Sequence, residues 1–268
     1  MPRLSANVSL LFTEVPFLER MAQAAACGFK GVECMFPYDH APEALGDAVA
    51  MAGQKLVVFN SPAGDTAAGE RGFAALPGRG KDFRQSLETV HRYIEFTDCK
   101  LVHVLAGRIA RGTPDAEETF LENLDYAGDE LAKAGAKVVI EPINMDGYFL
   151  RTPSHAVDLL HKLGHANVGL LYDMFHAQSL EGGLSDFLDM HLDLIAHIQV
   201  AGVPGRHEPD RHGEVNWRYL FDALDAHGYE GWVGAEYNPR NGTIPGLGWA
   251  SEWGIAPPSD NKKQGPRR

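Results

Sequence analysis

The sequence predicts an α/β fold, specifically a single-domain (β/α)8 TIM barrel. Short apolar runs of strand length alternate with helical patterns along the chain. The chain has 268 residues, and one such barrel typically takes roughly 250. Several of the apolar runs also end in a polar side chain, which is typical of strands that carry catalytic groups to the mouth of a barrel.

Eight apolar runs are predicted to be the strands of this barrel. They cover residues 4–9, 31–35, 55–60, 100–106, 137–141, 167–173, 195–200 and 231–237. The repeated strand-helix order, without a second glycine-rich nucleotide-binding motif, favours a closed barrel. An open doubly wound sheet is the alternative, but it would need fewer strands than these.

Apolar residues at helical spacing predict a helix after most of these strands. The predicted helices cover residues 17–28, 42–52, 82–97, 115–134, 153–163, 187–192 and 217–228. The first ends at Gly28, and the second begins with Pro42, a residue favoured in the first turn of a helix. A polar loop from Ser61 to Gly80 separates the third strand from the next helix, and a loop of that length is usually a lid or a binding loop.

The domain is expected to span residues 1–249, followed by a flexible tail at residues 250–268. The segment "APPSDNKKQGPRR" at the end of the chain is rich in proline, polar and basic residues. Such a segment cannot bury apolar surface, so it is not expected to pack or to carry chemistry.

Composition limits the partners and the compartment of the protein. Hydrophobic residues make up 44% of the chain, and 24 basic against 36 acidic residues give a net charge of −12. An acidic surface repels phosphate backbones, which argues against nucleic acid as a partner. The cysteines lack metal-finger spacing and suit a reducing compartment; they are Cys27, Cys34 and Cys99. With no leader or membrane-spanning run, we expect a cytoplasmic protein that makes no membrane contact; a homo-oligomer is compatible with the sequence.

Four oxygen-bearing side chains lie at the last or next-to-last residue of four predicted strands. They are Glu141, Asp173, Gln199 and Glu236. Each follows the previous one by about 30 residues, the length of one strand-helix-strand unit, so consecutive strands would bring them to one rim. Carboxylate and amide oxygens form a hard ligand set that suits Mg²⁺ or Mn²⁺ better than zinc. The sequence therefore predicts a divalent metal site at the mouth.

Several longer motifs carry a family resemblance over nearly the whole chain, up to about Trp249. They include "SANVSLLF", "ACGFKGVECMFPYD", "PAGDTAAGERG", "IEPIN", "YDMFH", "HIQVAGVPGRHEP", "GEVNW" and "GWVGAEY". In these motifs the chain resembles the hydroxypyruvate isomerase family of the xylose isomerase-like barrels. The related 2-oxotetronate isomerases share much of the pattern, so the resemblance indicates the reaction class better than the substrate.

The resemblance implies a proton transfer between adjacent carbons of a small hydroxy-keto acid, through an enediolate. It assigns Glu141 and Glu236 as the acid–base pair and as metal ligands, with Asp173 and Gln199 completing the metal shell. Keto-sugar epimerases of the superfamily often carry histidine at the position of Gln199. His176, three residues after Asp173, is interpreted as a substrate contact, and the alternative is a structural histidine.

A keto acid substrate also needs a cation for its carboxylate, for which arginine is suited. Arg71 in the long loop and Arg206 just beyond Gln199 are the candidates, and either could instead be a solvated loop charge. Glu70 is expected to orient the loop beside Arg71. Asn60, at the end of the third strand, is expected at the mouth or in a loop-capping hydrogen bond.

Three other functions stay open. A related keto-sugar isomerase or epimerase is one alternative. A metal-dependent hydrolase of the endonuclease IV type would need more histidines at the strand ends and a basic face. A non-catalytic scaffold is a third alternative, since fold alone does not imply function. Two carboxylates converging on one pocket argue against a scaffold, because their repulsion needs a reason such as a metal.

Overall fold

Eight parallel strands close into a barrel in sequence order, β1 pairing with both β2 and β8. The computed structural model describes residues 2–110 and 112–258. The strands are β1 (Arg3–Asn7), β2 (Gly31–Cys34), β3 (Lys55–Asn60), β4 (Leu101–His103), β5 (Lys137–Ile140), β6 (Val168–Asp173), β7 (Ile195–Val200) and β8 (Trp232–Ala235). The predicted TIM barrel is confirmed.

All the α-helices but the last lie between successive strands in the chain, and the last follows β8. They are α1 (Arg20–Ala26), α2 (Pro42–Met51), α3 (Gly80–Thr97), α4 (Ala116–Lys133), α5 (Pro153–Leu163), α6 (Met174–Leu180), α7 (Leu184–His191), α8 (Trp217–Ala226) and α9 (Thr243–Gly246). The sequence pattern predicts a single short helix between β6 and β7, whereas the structure has both α6 and α7 there. The first of these begins directly at the end of β6, because the Asp173 side chain caps its N-terminus.

The main hydrophobic core fills the space between the strands and the helices. On α3, for example, Phe83, Leu87, Val90 and Ile94 are buried, and their spacing of three to four residues places them on one face. A separate buried cluster contains Val58, Val139 and Leu171. Val139 and Leu171 precede Glu141 and Asp173 by two residues, so strand alternation points each pair to the same side of the sheet. This cluster therefore lies inside the barrel, below the predicted site.

Packed structure continues beyond residue 249, the predicted end of the domain. A 3-10 helix spans Leu247–Trp253, and the ring of Trp253 packs edge-on against Phe221 at 4.7 Å between centroids. Ile255 is also buried. The remainder of the predicted flexible tail, residues 259–268, lies outside the described residues.

The long loop after β3 covers residues 61–79. Gly72 forms an antiparallel bridge with Ala106 beyond β4, and Asn123 of α4 donates its side-chain N–H to the carbonyl of Ala74. These contacts hold the loop at the C-terminal end of the strands. Within the described ranges, no helix combines the length and apolar character needed to cross a membrane.

Candidate active site at the barrel mouth

A group of buried side chains at the C-terminal ends of β5 and β6 forms the centre of the site. Glu141 directly follows β5, Asp173 ends β6, and His176 lies in the first turn of α6. Their nearest ligand atoms all lie within 4.8 Å of one another. The Oδ1 atom of Asp173 accepts the N–H of Phe175 at 2.7 Å, and its Oδ2 atom lies 3.7 Å from His176 Nε2 and 3.4 Å from Arg206 Nη2. The carboxylates of Glu141 and Asp173, both predicted from the sequence to lie at this rim, are therefore close together.

His176 is oriented as a hydrogen-bond donor toward the two carboxylates. Its Nδ1 atom accepts the backbone N–H of Asn144 at 3.2 Å, so the neutral ring carries its proton on Nε2. This Nε2 atom lies 3.7 Å from both Glu141 Oε1 and Asp173 Oδ2. Burial, assisted by the charge of Arg206, lowers the pKa of His176, although Asp173 opposes this. A neutral N–H donor suits the predicted contact with a substrate oxygen.

Glu236 and Arg206 complete the charged part of the site. Glu236 directly follows β8, and Arg206 lies in the loop after β7 with a left-handed φ of +52°. The Nη2 atom of Arg206 lies 2.8 Å from Glu236 Oε1 and 3.4 Å from Asp173 Oδ2. Its guanidinium also lies over the ring of Phe175, 5.3 Å from the centroid. Strained backbone at such a position is often associated with function.

Burial and the charges of neighbouring carboxylates raise the pKa values of the two glutamates. Burial is the largest cause of the raised pKa of Glu141, followed by the charges of Glu236 and Asp173. Burial raises the pKa of Glu236 to about 8, although Arg206 opposes this. Burial alone would lower the pKa of Arg206, but the surrounding carboxylates raise it. A carboxyl group whose pKa lies near neutrality, as that of Glu236 does, can both accept and return a proton.

Gln199 lies on β7 in register with Asp173 on β6 and with Gly234 on β8. Its Nε2 atom donates to Glu33 at 2.7 Å. Its Oε1 atom is buried and accepts no hydrogen bond from the residues that the structure describes. A buried carbonyl oxygen without a partner is an unusual feature, and together with the carboxylates it fits a site for a hard cation.

Asn60 and His103 lie beside Glu141. The Nδ1 atom of His103 lies 3.3 Å from Glu141 Oε2 and 3.2 Å from Asn60 Oδ1. Burial, followed by the neighbouring His176, lowers the pKa of His103 to about 3. The sequence pattern predicts His103 to be a packed core or rim group. Its position at the end of β4, level with Asn60 on β3, is the signal that places it against Glu141.

Arg71 and Glu70 make their described contacts within the long loop. The Nη1 atom of Arg71 donates to the carbonyls of Thr66 at 3.2 Å and Glu70 at 2.6 Å. The carboxylate of Glu70 pairs with Arg79 at 2.6 Å and accepts the N–H of Asp65 at 2.7 Å. Glu70 thus organises the loop that carries Arg71, and the described contacts do not join either residue to the carboxylate cluster.

The fold and the site together define a barrel enzyme with a buried acid–base centre at its mouth. Comparison with known proteins is consistent with this class. The chain is 45% identical over 254 residues to the 2-oxo-tetronate isomerase of Cupriavidus necator, covering 93% of this chain and 97% of the relative. It is 41% identical to the hydroxypyruvate isomerase of Escherichia coli, covering 93% and 98% of the two chains.

A similar solved structure is that of a protein from Brucella melitensis named AP endonuclease, family 2. It superposes with a TM-score of 0.92 at 44% identity and covers 94% of this chain and 99% of its own. The family model described as xylose isomerase-like TIM barrel matches residues 21–254. The chain therefore belongs to the xylose isomerase-like TIM barrel family, and the family predicted from its motifs is confirmed.

Proposed function

We propose that this protein is an isomerase that interconverts hydroxypyruvate and tartronate semialdehyde. The relatives from Cupriavidus necator and Escherichia coli are named 2-oxo-tetronate isomerase and hydroxypyruvate isomerase. The four-carbon 2-oxotetronate is the alternative substrate, and a related keto-sugar isomerase or epimerase is the alternative activity.

The paired glutamates, Glu141 and Glu236, are the observation that carries the proposal. Both are buried, and the pKa of each is raised first by that burial. Each directly follows a different strand. The negative charge of Glu236 also contributes to the raised pKa of Glu141. Two carboxyl groups in one pocket can remove a proton from one carbon and return it to the next.

For hydroxypyruvate the reaction moves one proton from C3 to C2, while the hydroxyl proton moves from O3 to O2. One glutamate takes the C3 proton, which produces an enediolate, and a carboxyl group then protonates C2. Negative charge develops on the two substrate oxygens during this step. The Nε2–H of His176 is positioned to donate to one of these oxygens, since its other nitrogen is occupied by the backbone of Asn144.

A divalent cation, Mg²⁺ or Mn²⁺, is proposed as the cofactor, held by the four residues predicted from the sequence. They are Glu141, Asp173, Gln199 and Glu236. When bound, such a cation stabilises negative charge on the substrate oxygens as a Lewis acid. The buried carboxylates and the unpartnered Oε1 atom of Gln199 support this donor set.

The substrate carboxylate is proposed to bind an arginine at the mouth. Arg206 is the first candidate, because its guanidinium already lies among the catalytic carboxylates. Arg71 is the second, because it belongs to the long loop at the same end of the barrel. Asn60 and Glu70 support the pocket and the loop, respectively, through the hydrogen bonds described above.

The name of the similar Brucella melitensis protein raises an endonuclease as a second candidate. Two features argue against it. The net charge is −12, which repels a phosphate backbone. Among the residues that the structure describes, the group of candidate metal ligands contains a single histidine, His176. Its Nε2 atom carries a proton in the neutral ring and so does not bind a metal.

The test measures proton transfer by NMR in deuterated solvent, with hydroxypyruvate and 2-oxotetronate as separate substrates. Each assay is run on metal-free protein, with added Mn²⁺ and with chelator. We expect deuterium incorporation at the carbon next to the carbonyl and a higher rate with Mn²⁺. Cleavage of abasic DNA is assayed in parallel. Nuclease activity with no turnover of either keto acid would overturn the proposal.

A further inference from the structure

A buried carboxylate, Glu33 on β2, lies inside the barrel beside Gln199 and has no part in the proton transfer proposed above. Its relative exposure is 0%. Glu33 and Gln199 belong to strands that are not neighbours in the sheet, so their hydrogen bond crosses the barrel interior. Burying a carboxylate is costly unless it is fully hydrogen-bonded. The groups around Glu33 meet this condition.

Four side chains surround this carboxylate and present hydrogen-bearing atoms to it. Ser5 Oγ and His197 Nε2 lie 2.9 and 2.8 Å from Oε2. Asn7 Nδ2 and Gln199 Nε2 lie 3.3 and 2.7 Å from Oε1. As a carboxylate, Glu33 accepts hydrogen bonds and donates none.

Gly234 on β8 leaves the room that Glu33 needs. A Cβ atom at this position would lie 2.3 Å from Oε2 of Glu33, so any larger residue would displace the carboxylate. The part of the barrel interior that β8 contributes is therefore also shaped around Glu33.

The carboxylate determines which end of the Gln199 amide faces it. The two ends of an amide are nearly equal in size, but only the NH₂ end can bond to an acceptor. The NH₂ end therefore faces Glu33, and the carbonyl oxygen faces away. That Oε1 atom is the buried one that accepts no hydrogen bond from the described residues.

We propose that Glu33 is a positioning residue that fixes the Gln199 amide so that Oε1 is offered to a divalent cation. The inference rests on the proposed metal site. A reversed amide would turn its NH₂ hydrogens toward the cation and would repel it. Groups that orient a metal ligand typically change metal affinity about 10- to 100-fold when they are altered.

The test is a double-mutant cycle on Mn²⁺ affinity, measured by calorimetry on the full-length protein. Glu33→Gln keeps the size of the side chain, but its amide can donate as well as accept, so Gln199 is free to reverse. We expect this substitution to weaken Mn²⁺ binding about 10- to 100-fold. In a Gln199→Ala background the same substitution should have little further effect, because the amide that it orients is absent.

Ser5→Ala is the matched control, since it removes a different hydrogen bond to the same carboxylate. We expect a much smaller change in Mn²⁺ affinity, because the bond between Glu33 and Gln199 remains. Equal losses for Glu33→Gln in the wild-type and Gln199→Ala backgrounds would show a general structural effect and overturn the inference.

Two further outcomes separate this inference from the proposed function. If wild-type protein binds Mn²⁺ and Glu33→Gln binds it equally well, only the role of Glu33 is wrong. If wild-type protein binds no divalent cation, the proposed metal site and this inference both fail. Should Glu33→Gln not fold, a crystal structure of the wild-type protein with Mn²⁺ decides: Oε1 of Gln199 on the cation and Nε2 on Glu33 support the inference, and any other arrangement contradicts it.

Discussion

The guanidinium of Arg206 bridges two acids at the barrel mouth, with its Nη2 atom 2.8 Å from Glu236 Oε1 and 3.4 Å from Asp173 Oδ2. One cation thus balances part of the charge of three clustered carboxylates. Burial, followed by the charges of Asp173 and Glu33, still raises the pKa of Glu236 to about 8, although Arg206 opposes this. This balance between charge pairing and burial gives the site its acid–base character and leads to the first two predictions.

Replacing either catalytic glutamate by glutamine should reduce turnover of hydroxypyruvate by about 10² to 10⁴-fold, the usual contribution of general acid–base catalysis. Glu141→Gln and Glu236→Gln keep the side-chain size but cannot exchange a proton. Glu118→Gln on the exposed side of α4 is the matched control, and we expect it to leave the rate unchanged. Near-wild-type rates for both site variants would contradict the assignment.

The raised pKa of Glu236 should make the metal-free protein less stable as the pH rises. The folded state keeps this proton up to a pH of about 8, whereas the unfolded state releases it near 4.5. Between these values the folded state binds more protons, so the free energy of unfolding falls with increasing pH. Glu236→Gln removes this contribution.

We therefore expect Glu236→Gln to match the wild type at pH 5 and to be more stable than it at pH 8.5, by a few kcal/mol. Urea unfolding in the presence of a chelator measures both values. The same difference between the two proteins at pH 5 and at pH 8.5 would show that Glu236 does not titrate in this range.

Two substitutions of Asp173 should separate its role in metal binding from its role as the N-cap of α6. Asparagine caps helices about as well as aspartate, so Asp173→Asn should preserve the N-terminus of α6 and the thermal stability. It removes one negative charge from the proposed ligands, which should weaken Mn²⁺ binding. Asp173→Ala loses the cap as well, at a cost of about 1 kcal/mol in stability. Calorimetry with Mn²⁺ and thermal unfolding are compared for both variants, and unchanged affinity in both would remove Asp173 from the ligand set.

Most of the fold and the outline of the site could be predicted from the sequence, because the C-terminal ends of all strands in a parallel barrel lie at the same rim. Glu141 and Asp173 end separate apolar runs, and the closed sheet brings both ends to one rim. The sequence pattern does not separate α6 from β6, because this helix starts without a loop, directly after the last residue of the strand.

The roles of Glu33 and Arg71 depend on information that local patterns do not contain. Glu33 approaches Gln199 across the barrel interior from 166 residues away in the chain, and only closure of the barrel creates that contact. Arg71 lies in a motif shared with the family, but the direction of a loop side chain depends on the loop's own hydrogen bonds. Here its Nη1 atom donates to two loop carbonyls.

The two candidate arginines should differ in how they respond to lysine. At Arg71, both described contacts are made by one nitrogen to carbonyl oxygens, and an ammonium group can replace them. At Arg206, the planar guanidinium joins two carboxylates and lies over Phe175, which lysine cannot reproduce. Lysine at position 206 meets the same left-handed backbone, so the comparison does not add strain.

We expect Arg206→Lys to lower kcat/KM for hydroxypyruvate by about 10-fold or more, the value of a hydrogen bond between charged groups. A neutral hydroxyaldehyde such as glyceraldehyde lacks the carboxylate, so its deuterium exchange should fall less. Arg71→Lys should change both rates only slightly. Equal losses on the charged and the neutral compound would assign Arg206 to the organisation of Glu236 rather than to carboxylate binding. A selective loss for hydroxypyruvate in Arg71→Lys alone would move the carboxylate contact to the long loop, because only a direct contact distinguishes the two compounds by charge.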